Sequence, residues 1–175
     1  RTNASALRRN CDDLLRGRGG SIMRRRDREI TSAEAIRDIV ARGRVLYLAM
    51  VDNGRPYVLP LSYGYDGTAL YLHCAPEGRK LDVLRCNPLV CFAIALDQEL
   101  MTSDRPCGWS FRYRSVVGEG VAHLVEEEEE KRHGLDAIMR QHGGSGGDYP
   151  PDALARTTVL RIDITALSGK QAGYA

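Results

Sequence analysis

Apolar residues that alternate with polar ones, or form short unbroken runs, predict about six β-strands along this chain. The first two cover residues 44–52 and 55–65. Asn53-Gly54 between them is typical of a type I′ hairpin turn, in which both central residues have positive φ. Asp66-Gly67 predicts a second tight turn that leads into a strand over residues 68–74. These three strands are expected to form an antiparallel meander.

Three further strands are predicted in the second half of the chain. Residues 89–96 are an unbroken apolar run that fits a buried strand, and residues 157–164 alternate between apolar and polar side chains. A longer strand is expected over residues 113–125, where a Gly-Glu-Gly sequence suggests a bulge or a bend. Residues 97–108 contain Asp, Ser, Pro and Gly and are expected to form a loop.

Three helices are predicted between the strands. Thr31 and Glu34 form a capping box, in which Thr31 binds a first-turn amide and Glu34 reaches back, so a short amphipathic helix is expected over residues 32–43. A second helix is expected over residues 78–86, ahead of a proline, and a third over 126–142, after a run of five glutamates. The elements show no β-α-β alternation and no G-x-G-x-x-G motif. They therefore predict a mainly β fold, a six-stranded antiparallel barrel with peripheral helices.

The composition is that of an ordinary globular protein. The chain has 175 residues, of which 43% are hydrophobic and 27% charged, and this length fits one domain with its own core. The longest apolar run, over residues 89–96, is far shorter than the ~20 residues of a membrane-spanning helix. No apolar segment of a secretory signal follows the basic start, so we expect a cytoplasmic protein with no membrane partner. The five cysteines lack zinc-finger spacing, so we expect no metal site. Because no secretory signal is visible, we expect their thiols to be reduced.

The net charge of +2 conceals an uneven distribution. Residues 1–28 contain nine arginines and three aspartates, a net charge of +6, so the remainder carries a net charge of −4. Such a basic arm could contact nucleic acid or a membrane surface, or it could be a poorly ordered or non-native leader. Because the arm has no aromatic side chains to stack on bases, we expect residues 1–22 to be such a leader. We then expect a folded domain over residues 23–175 and no nucleic-acid partner.

The best candidate for an anion site lies where the strand over residues 68–74 gives way to the second helix. Gly78, Arg79 and Lys80 follow a turn there, and the free N–H groups at a helix N-terminus attract phosphate. Arg79 could bind two phosphate oxygens, and Lys80 would add a point charge. Cations in a first turn oppose the helix dipole, so a bound anion would account for them. The alternative is a solvated first turn without a ligand.

Further candidates lie near the long strand and at the end of the third one. Arg114 and Ser115 could hydrogen-bond to the polar edge of a ring, or the charge could protect an edge strand from pairing. Trp109 and Phe111 could pack on a flat ligand or on a partner subunit. His73 is either structural or a proton-transfer group. No Ser-His-Asp order and no paired-carboxylate motif stands out, so hydrolase chemistry is not supported.

Several short motifs, in their order and spacing, resemble the pyridoxamine 5′-phosphate oxidase-like FMN-binding split barrels. They are Pro-Tyr-Val-Leu-Pro-Leu-Ser-Tyr at 56–63, Leu-Tyr-Leu-His at 70–73, Gly-Arg-Lys at 78–80 and Asn-Pro at 87–88. Arg-Ser-Val-Val-Gly-Glu-Gly at 114–120 and Leu-Ser-Gly-Lys at 167–170 are similar to the Nim-like branch, the nitroimidazole-resistance proteins. The resemblance covers residues 23–172 and implies a split β-barrel.

The resemblance also implies a homodimer that binds FMN at the subunit interface. Arg79 and Lys80, after Gly78, would hold the phosphate, in agreement with the argument from the helix N-terminus. Ser115 and Arg114 would approach the flavin from the long strand. The residues implied to run beside the isoalloxazine ring are Leu59, Pro60, Leu61 and Ser62.

The expected chemistry follows from the same resemblance. His73 matches a histidine near the flavin and the substrate, and it is the one candidate catalytic residue. Tyr63 stands where pyridoxamine 5′-phosphate oxidases have a phosphate-binding lysine, and their C-terminal Arg and His motif is absent, so vitamin B6 oxidation is not expected. We expect an FMN-dependent oxidoreductase that passes electrons to a small aromatic or nitro compound. The alternatives are a flavin- or haem-binding protein without turnover, and a reductase that uses the deazaflavin F420.

Overall fold

The computed structural model describes residues 23–174, and most of its regular structure is β-strand. The strands are β1 (Glu29–Ile30), β2 (Val45–Asp52), β3 (Arg55–Ser62), β4 (Gly64–Tyr65), β5 (Ala69–Cys74), β6 (Leu89–Met101), β7 (Ser110–Leu124) and β8 (Thr158–Ala172). The helices are α1 (Ala33–Arg42), α2 (Arg79–Cys86), α3 (Glu128–Gln141) and α4 (Pro151–Ala155). The predictions about the leader, residues 1–22, lie outside the described residues.

All eight strands belong to one antiparallel sheet. Its order is β3-β2-β6-β7-β8-β5-β4, and β1 pairs with β8. β3 and β4 lie at opposite ends of this order although only Tyr63 separates them in the chain. The sheet therefore curls round without closing, which confirms the predicted split barrel. β1 and β4 have only two residues each, and the other six strands are the six that the sequence predicts.

The predicted meander is right for its first hairpin and partly right for its second, because the predicted second strand, residues 55–65, divides at Tyr63 and only its end, β4, pairs with β5 across the predicted Asp66-Gly67 turn. β2 and β3 pair across Asn53 and Gly54, whose φ angles of 49° and 80° fit a type I′ turn. β5, however, pairs with β4 and β8 rather than with β3. The chain bends at Tyr63, where the buried ring packs in the barrel and the hydroxyl donates to the carbonyl oxygen of Val40 at 2.6 Å. The bend moves the return strand from the edge of β2 to the edge of β5.

The three longest strands extend further than predicted. β6 continues through the first part of the predicted loop to Met101 and pairs there with residues 110–112 of β7, as a two-stranded ribbon in which Leu100 is opposite Phe111. Residues 102–108 lie outside the strands, as predicted. A bulge that contains Asp97, with a φ of 54°, separates this ribbon from the barrel. β8 continues to Ala172 rather than ending at residue 164, because β7 pairs with it along its length. A register shift lies beside Gly120, where the bulge is predicted, but the extra residue, Thr165, belongs to β8 and not to β7.

The three predicted helices are present, with one difference at a cap. Ser32, and not Thr31, is the N-cap of α1, and its Oγ accepts the N–H of Ala35 at 3.2 Å. At the other end of α1, the side chain of Gln141 donates to the carbonyl oxygens of Val40, Ala41 and Gly43. α3 thereby supplies partners for the last carbonyls of α1. Within residues 23–174, no helix is both long and apolar enough to cross a membrane.

Alternate strand residues fill the interior of the barrel. Fully buried members of this core include Leu46, Leu48, Phe92, Ile94, Leu160 and Ile162. Leu81 and Leu84 of α2 belong to the same cluster, so the core anchors the helix that carries Arg79. A second cluster joins α3 to the outside of β5 and β8, and its members are Ala69, Tyr71, Val125, Ala137, Ile138 and Val159. The candidate phosphate-binding residues therefore lie on rigid elements.

Candidate cofactor-binding site

The N-terminus of α2 has a backbone that suits an anion. Gly78 precedes the helix, and its φ of 134° is in a region that L side chains rarely adopt. No side chain caps the first turn of α2. The N–H of Leu81 donates to the carbonyl oxygen of Gly78 at 2.9 Å, and the N–H groups of Arg79 and Lys80 have no partner within residues 23–174. These groups are the ones that a phosphate or carboxylate can use.

Arg79 is held in a defined position at the start of α2. Its Nε and Nη2 lie 2.9 Å and 2.8 Å from the same oxygen, Oδ2 of Asp52. Its guanidinium carbon lies 4.3 Å from the ring centroid of Tyr57, a cation–π contact. The guanidinium is therefore fixed along one edge and over one face. Nη1 has no hydrogen-bond partner among residues 23–174, and the side chain is 59% exposed.

Sequence reasoning missed Asp52 and Tyr57. Both lie on the β2–β3 hairpin, more than twenty positions before Arg79, and no local pattern connects them to it. A bound ligand is not needed to account for Arg79 in the first turn, because Asp52 already supplies an anion for this cation, which opposes the helix dipole. Lys80 differs in this respect. Its side chain is half-buried and forms no ion pair within the described part of the chain.

Within residues 23–174, β3 pairs with β2 on one side only and therefore presents a free backbone edge. Pro56 and Pro60 cannot donate to a ladder, so the backbone at these positions points away from β2. In an antiparallel pair, the N–H and C=O groups of successive residues point alternately toward and away from the partner strand. The backbone groups of Val58 and Ser62 therefore also point away from β2. The free edge thus offers four carbonyl oxygens but only two N–H groups, those of Val58 and Ser62.

The four residues predicted beside the flavin ring divide between two sides of β3. Leu59 and Leu61 are half-buried and pack against the barrel core. Pro60 and Ser62 are exposed on the opposite side. The leucines therefore fix the strand to the barrel, and the other two positions remain open to a ligand.

The outer face of β3, β2, β6 and β7 is mostly apolar and exposed, although Glu119, opposite Cys91, also lies on it. One row across these strands consists of Pro60, Tyr47, Ala93 and Val117, which are opposite one another in register. Of the ten exposed large hydrophobic side chains in residues 23–174, nine belong to this face or to the ribbon that continues it: Val45, Tyr47, Val51, Val58, Leu89, Leu100, Trp109, Phe111 and Val117. We call this surface the apolar face. Contiguous exposed apolar surface of this kind marks an interaction site.

The structure separates Arg114 from Ser115. Ser115 lies on the apolar face of β7, opposite Ala95 and Lys170. Arg114 points to the other side, where its Nη1 lies 2.7 Å from Oδ2 of Asp97 and its guanidinium carbon lies 4.0 Å from the ring centroid of Tyr174. There it lines an open cleft of about 570 Å³ between α1 and the sheet. Adjacent strand residues point to opposite faces, so one site on one face of β7 cannot take both side chains.

His73 and Tyr63 have different surroundings. His73 is exposed on β5, opposite Val159, and no hydrogen bond or ion pair joins it to another side chain in residues 23–174. Tyr63 is fully buried, and burial raises the pKa of its hydroxyl. Tyr63 therefore cannot substitute for a phosphate-binding lysine. Across the described residues, no group of three or more His, Cys, Asp or Glu side chains is arranged to hold a metal ion.

Comparison with known proteins identifies the family. Residues 32–171 match the family model described as pyridoxamine 5′-phosphate oxidase. The chain belongs to this family. Its structure is similar to that of a candidate 5-nitroimidazole antibiotic resistance protein from Bacteroides thetaiotaomicron, with 32% sequence identity and a TM-score of 0.74 over 82% of this chain and 86% of that one. This similarity agrees with the Nim-like motifs of the sequence.

Two other proteins extend the comparison for this pyridoxamine 5′-phosphate oxidase family member. A FAD and haem binding protein from Mycobacterium smegmatis has 22% identity and a TM-score of 0.73, over 84% of this chain and 74% of that one. At this identity the likeness shows the fold alone. An uncharacterized protein of Rhizobium meliloti (strain 1021) is 36% identical over 66 residues, which are 38% of this chain and 43% of that protein. The chain thus matches less than half the length of this relative.

Proposed function

We propose that this member of the pyridoxamine 5′-phosphate oxidase family binds FMN, with the phosphate at the N-terminus of α2. The observation that carries the proposal is the Arg79 guanidinium, which Asp52 and Tyr57 hold beside an uncapped first turn while Nη1 stays free. A guanidinium edge together with helix N–H groups suits a phosphate dianion. Lys80 adds a second positive charge in the same turn. The residues present therefore fit a phosphate monoester.

The isoalloxazine ring would lie along the free edge of β3. The pyrimidine end of a flavin has both donors and acceptors, and this edge offers carbonyl oxygens together with the N–H groups of Val58 and Ser62. Ser115 adds a hydroxyl on the apolar face. We leave Arg114 outside the proposed site because it points to the other side of β7.

A second copy of the chain would cover the apolar face. Pro60, Tyr47 and Val117 lie in one row of this face, and all three side chains are exposed in the described chain. Removal of such surface from water contributes about 25 cal/mol per Å² of apolar area. Because Ser62 and Ser115 are on or beside this face, we propose a homodimer whose interface borders the flavin.

When FMN is bound, it supplies the electron transfer, and the protein contributes binding, orientation and exclusion of water. We propose that the electron acceptor is a small aromatic or nitro compound. The similarity at 32% identity to a candidate nitroimidazole resistance protein supports this substrate class. His73 is the candidate proton-transfer residue, since it is exposed at the end of β5 next to the turn before α2.

The phosphate assignment is tested by flavin retention. We expect mass spectrometry of the small molecule released from the native protein to identify FMN. If it identifies F420 or haem, that molecule is the ligand and the proposal of FMN is wrong. The double variant Arg79→Ala/Lys80→Ala should lose FMN. A matched control is Arg37→Ala/Arg85→Ala, which removes two exposed cations from helices and leaves the turn intact. Full flavin occupancy in the first double variant would refute the phosphate site.

Catalysis needs a separate measurement. Turnover of a nitroimidazole by the FMN-loaded protein with a chemical reductant would establish an oxidoreductase. We expect His73→Ala to lower the rate while FMN occupancy is kept. A loaded protein that gives no turnover above free FMN would instead indicate a flavin-binding protein without activity of its own.

A further inference from the structure

Asp52 ends β2, directly before the Asn53-Gly54 turn, and its carboxylate reaches across to α2. We propose that Asp52 is a positioning residue for phosphate binding, because it holds the Arg79 guanidinium with the Nη1 side facing outward. The inference rests on the proposed function, since it concerns how the same site is prepared before the ligand arrives.

The carboxylate of Asp52 is itself fixed. Its Oδ1 accepts a hydrogen bond from Nδ2 of Asn53 at 3.0 Å, and its Oδ2 faces both Nε and Nη2 of Arg79. The Asp52 side chain is 23% exposed, against 59% for Arg79. The ordered partner is thus the acid in the hairpin, and it restrains a longer, more exposed side chain.

The contacts determine which part of Arg79 a ligand can use. A guanidinium can bind an oxyanion in a bidentate manner along its Nε–Nη2 edge or along its Nη1–Nη2 edge. Asp52 occupies the first edge, and the ring of Tyr57 covers one face. A phosphate must therefore approach the Nη1–Nη2 edge, which is the one left open.

Removal of Asp52 has two opposing effects on FMN affinity. The carboxylate repels a phosphate, so its loss favours binding, but this effect is screened because Arg79 is exposed to solvent. Without Asp52, however, the ligand has to immobilise a long side chain by itself. Such ordering weakens binding by about 2- to 10-fold. We expect the ordering effect to prevail, so Asp52→Ala should weaken FMN binding by about 3- to 10-fold at physiological salt.

Affinities for FMN and for riboflavin, which has no phosphate, test this role. Asp52→Ala should weaken FMN and leave riboflavin unchanged. Asp82→Ala is the matched control, because it removes the same charge from α2 at a residue that pairs with Arg85 instead. Asp52→Asn retains an acceptor oxygen and should lose less affinity than Asp52→Ala. If the alanine variant does not fold, the asparagine variant gives the decisive comparison, with FMN weakened and riboflavin unchanged.

A double-mutant cycle separates this inference from the proposed function. In an Arg79→Ala background, Asp52→Ala should no longer weaken FMN binding, because the residue that Asp52 positions is gone and only the screened repulsion between its carboxylate and the phosphate is removed. Unchanged or tighter FMN binding in the Asp52 variants, with Arg79→Ala still weakening FMN, would overturn the positioning role alone. FMN affinity that Arg79→Ala does not change would overturn the phosphate site itself.

Discussion

Nε2 of His133 lies 3.0 Å from Oδ2 of Asp66, and this contact joins α3 to the turn between β4 and β5. Oδ1 of Asp66 also accepts the N–H groups of Thr68 and Ala69 at 2.8 Å and 2.9 Å. Partial burial acts to raise the pKa of Asp66, but the hydrogen bonds from Ala69, His133 and Thr68 outweigh it and hold the pKa well below its usual value. The fold therefore stabilises the ionised form.

We expect Asp66→Asn to lower the free energy of unfolding by about 1–2 kcal/mol near neutral pH, because the amide places an N–H group among donors. A lowered pKa in the folded state means that the stabilisation is present above the unfolded pKa of about 3.9 and is lost as the pH falls through the folded value. In urea unfolding, the difference in unfolding free energy between the wild-type protein and Asp66→Asn should decrease below about pH 4. An equal difference at all pH values would contradict the assignment.

Tyr63→Phe tests the bend between β3 and β4. The variant removes a buried hydroxyl that donates to the Val40 carbonyl, and that oxygen keeps a second donor, Gln141 at 3.0 Å. We therefore expect a modest loss of about 1 kcal/mol in unfolding free energy and no change in flavin content. Thermal unfolding and the flavin absorbance measure both. Loss of flavin with an unchanged melting temperature would place Tyr63 in the ligand site instead.

Gly118 has to lack a side chain because of Phe92. A methyl group at Gly118 would overlap the ring of Phe92, which is fully buried in the barrel. We expect Gly118→Ala to destabilise the fold by about 1–3 kcal/mol in denaturant unfolding. Gly147→Ala is the control, since open space surrounds that position and the change should stay within about 0.5 kcal/mol. Equal stability of the two variants would argue against this packing.

A charge on the apolar face should dissociate the proposed homodimer. Val117 and Met139 have similar exposure, 46% and 44%, but only Val117 lies on that face, and Met139 is on α3. In sedimentation equilibrium we expect Val117→Glu to raise the dimer dissociation constant by at least about tenfold, because a carboxylate would be buried without a partner. Met139→Glu should leave it unchanged. A wild-type protein that is monomeric and still holds FMN would exclude a site at the interface.

Much of the fold follows from local patterns. Six strands and three helices are predicted near their observed positions, since alternation and turn residues act over short distances. The errors in the strands share one cause, which is pairing between distant strands. Residues 97–108 look like a loop by composition, yet β6 extends into this segment as far as Met101 because it pairs with the start of β7. β8 continues beyond residue 164, where its apolar alternation ends, because β7 pairs with it there.

The candidate site was only partly predictable, for a similar reason. The helix N-terminus and the cations Arg79 and Lys80 follow from the sequence. Asp52 and Tyr57 reach Arg79 only through the way the hairpin packs against α2, so no spacing in the sequence reveals them. The separation of Arg114 from Ser115 follows from the alternation of any strand, but the sequence does not show which of the two lies on the apolar face, because that depends on how β7 pairs with its neighbours.

The prolines of β3 affect the tendency of the protein to aggregate through its free strand edge. An unpaired strand edge is a template on which another strand can add, and repeated addition leads to aggregation. On the free edge of β3, Pro56 and Pro60 remove every second N–H group, so an incoming strand would find an interrupted ladder. The edge can therefore stay open to a small molecule while it resists polymerisation.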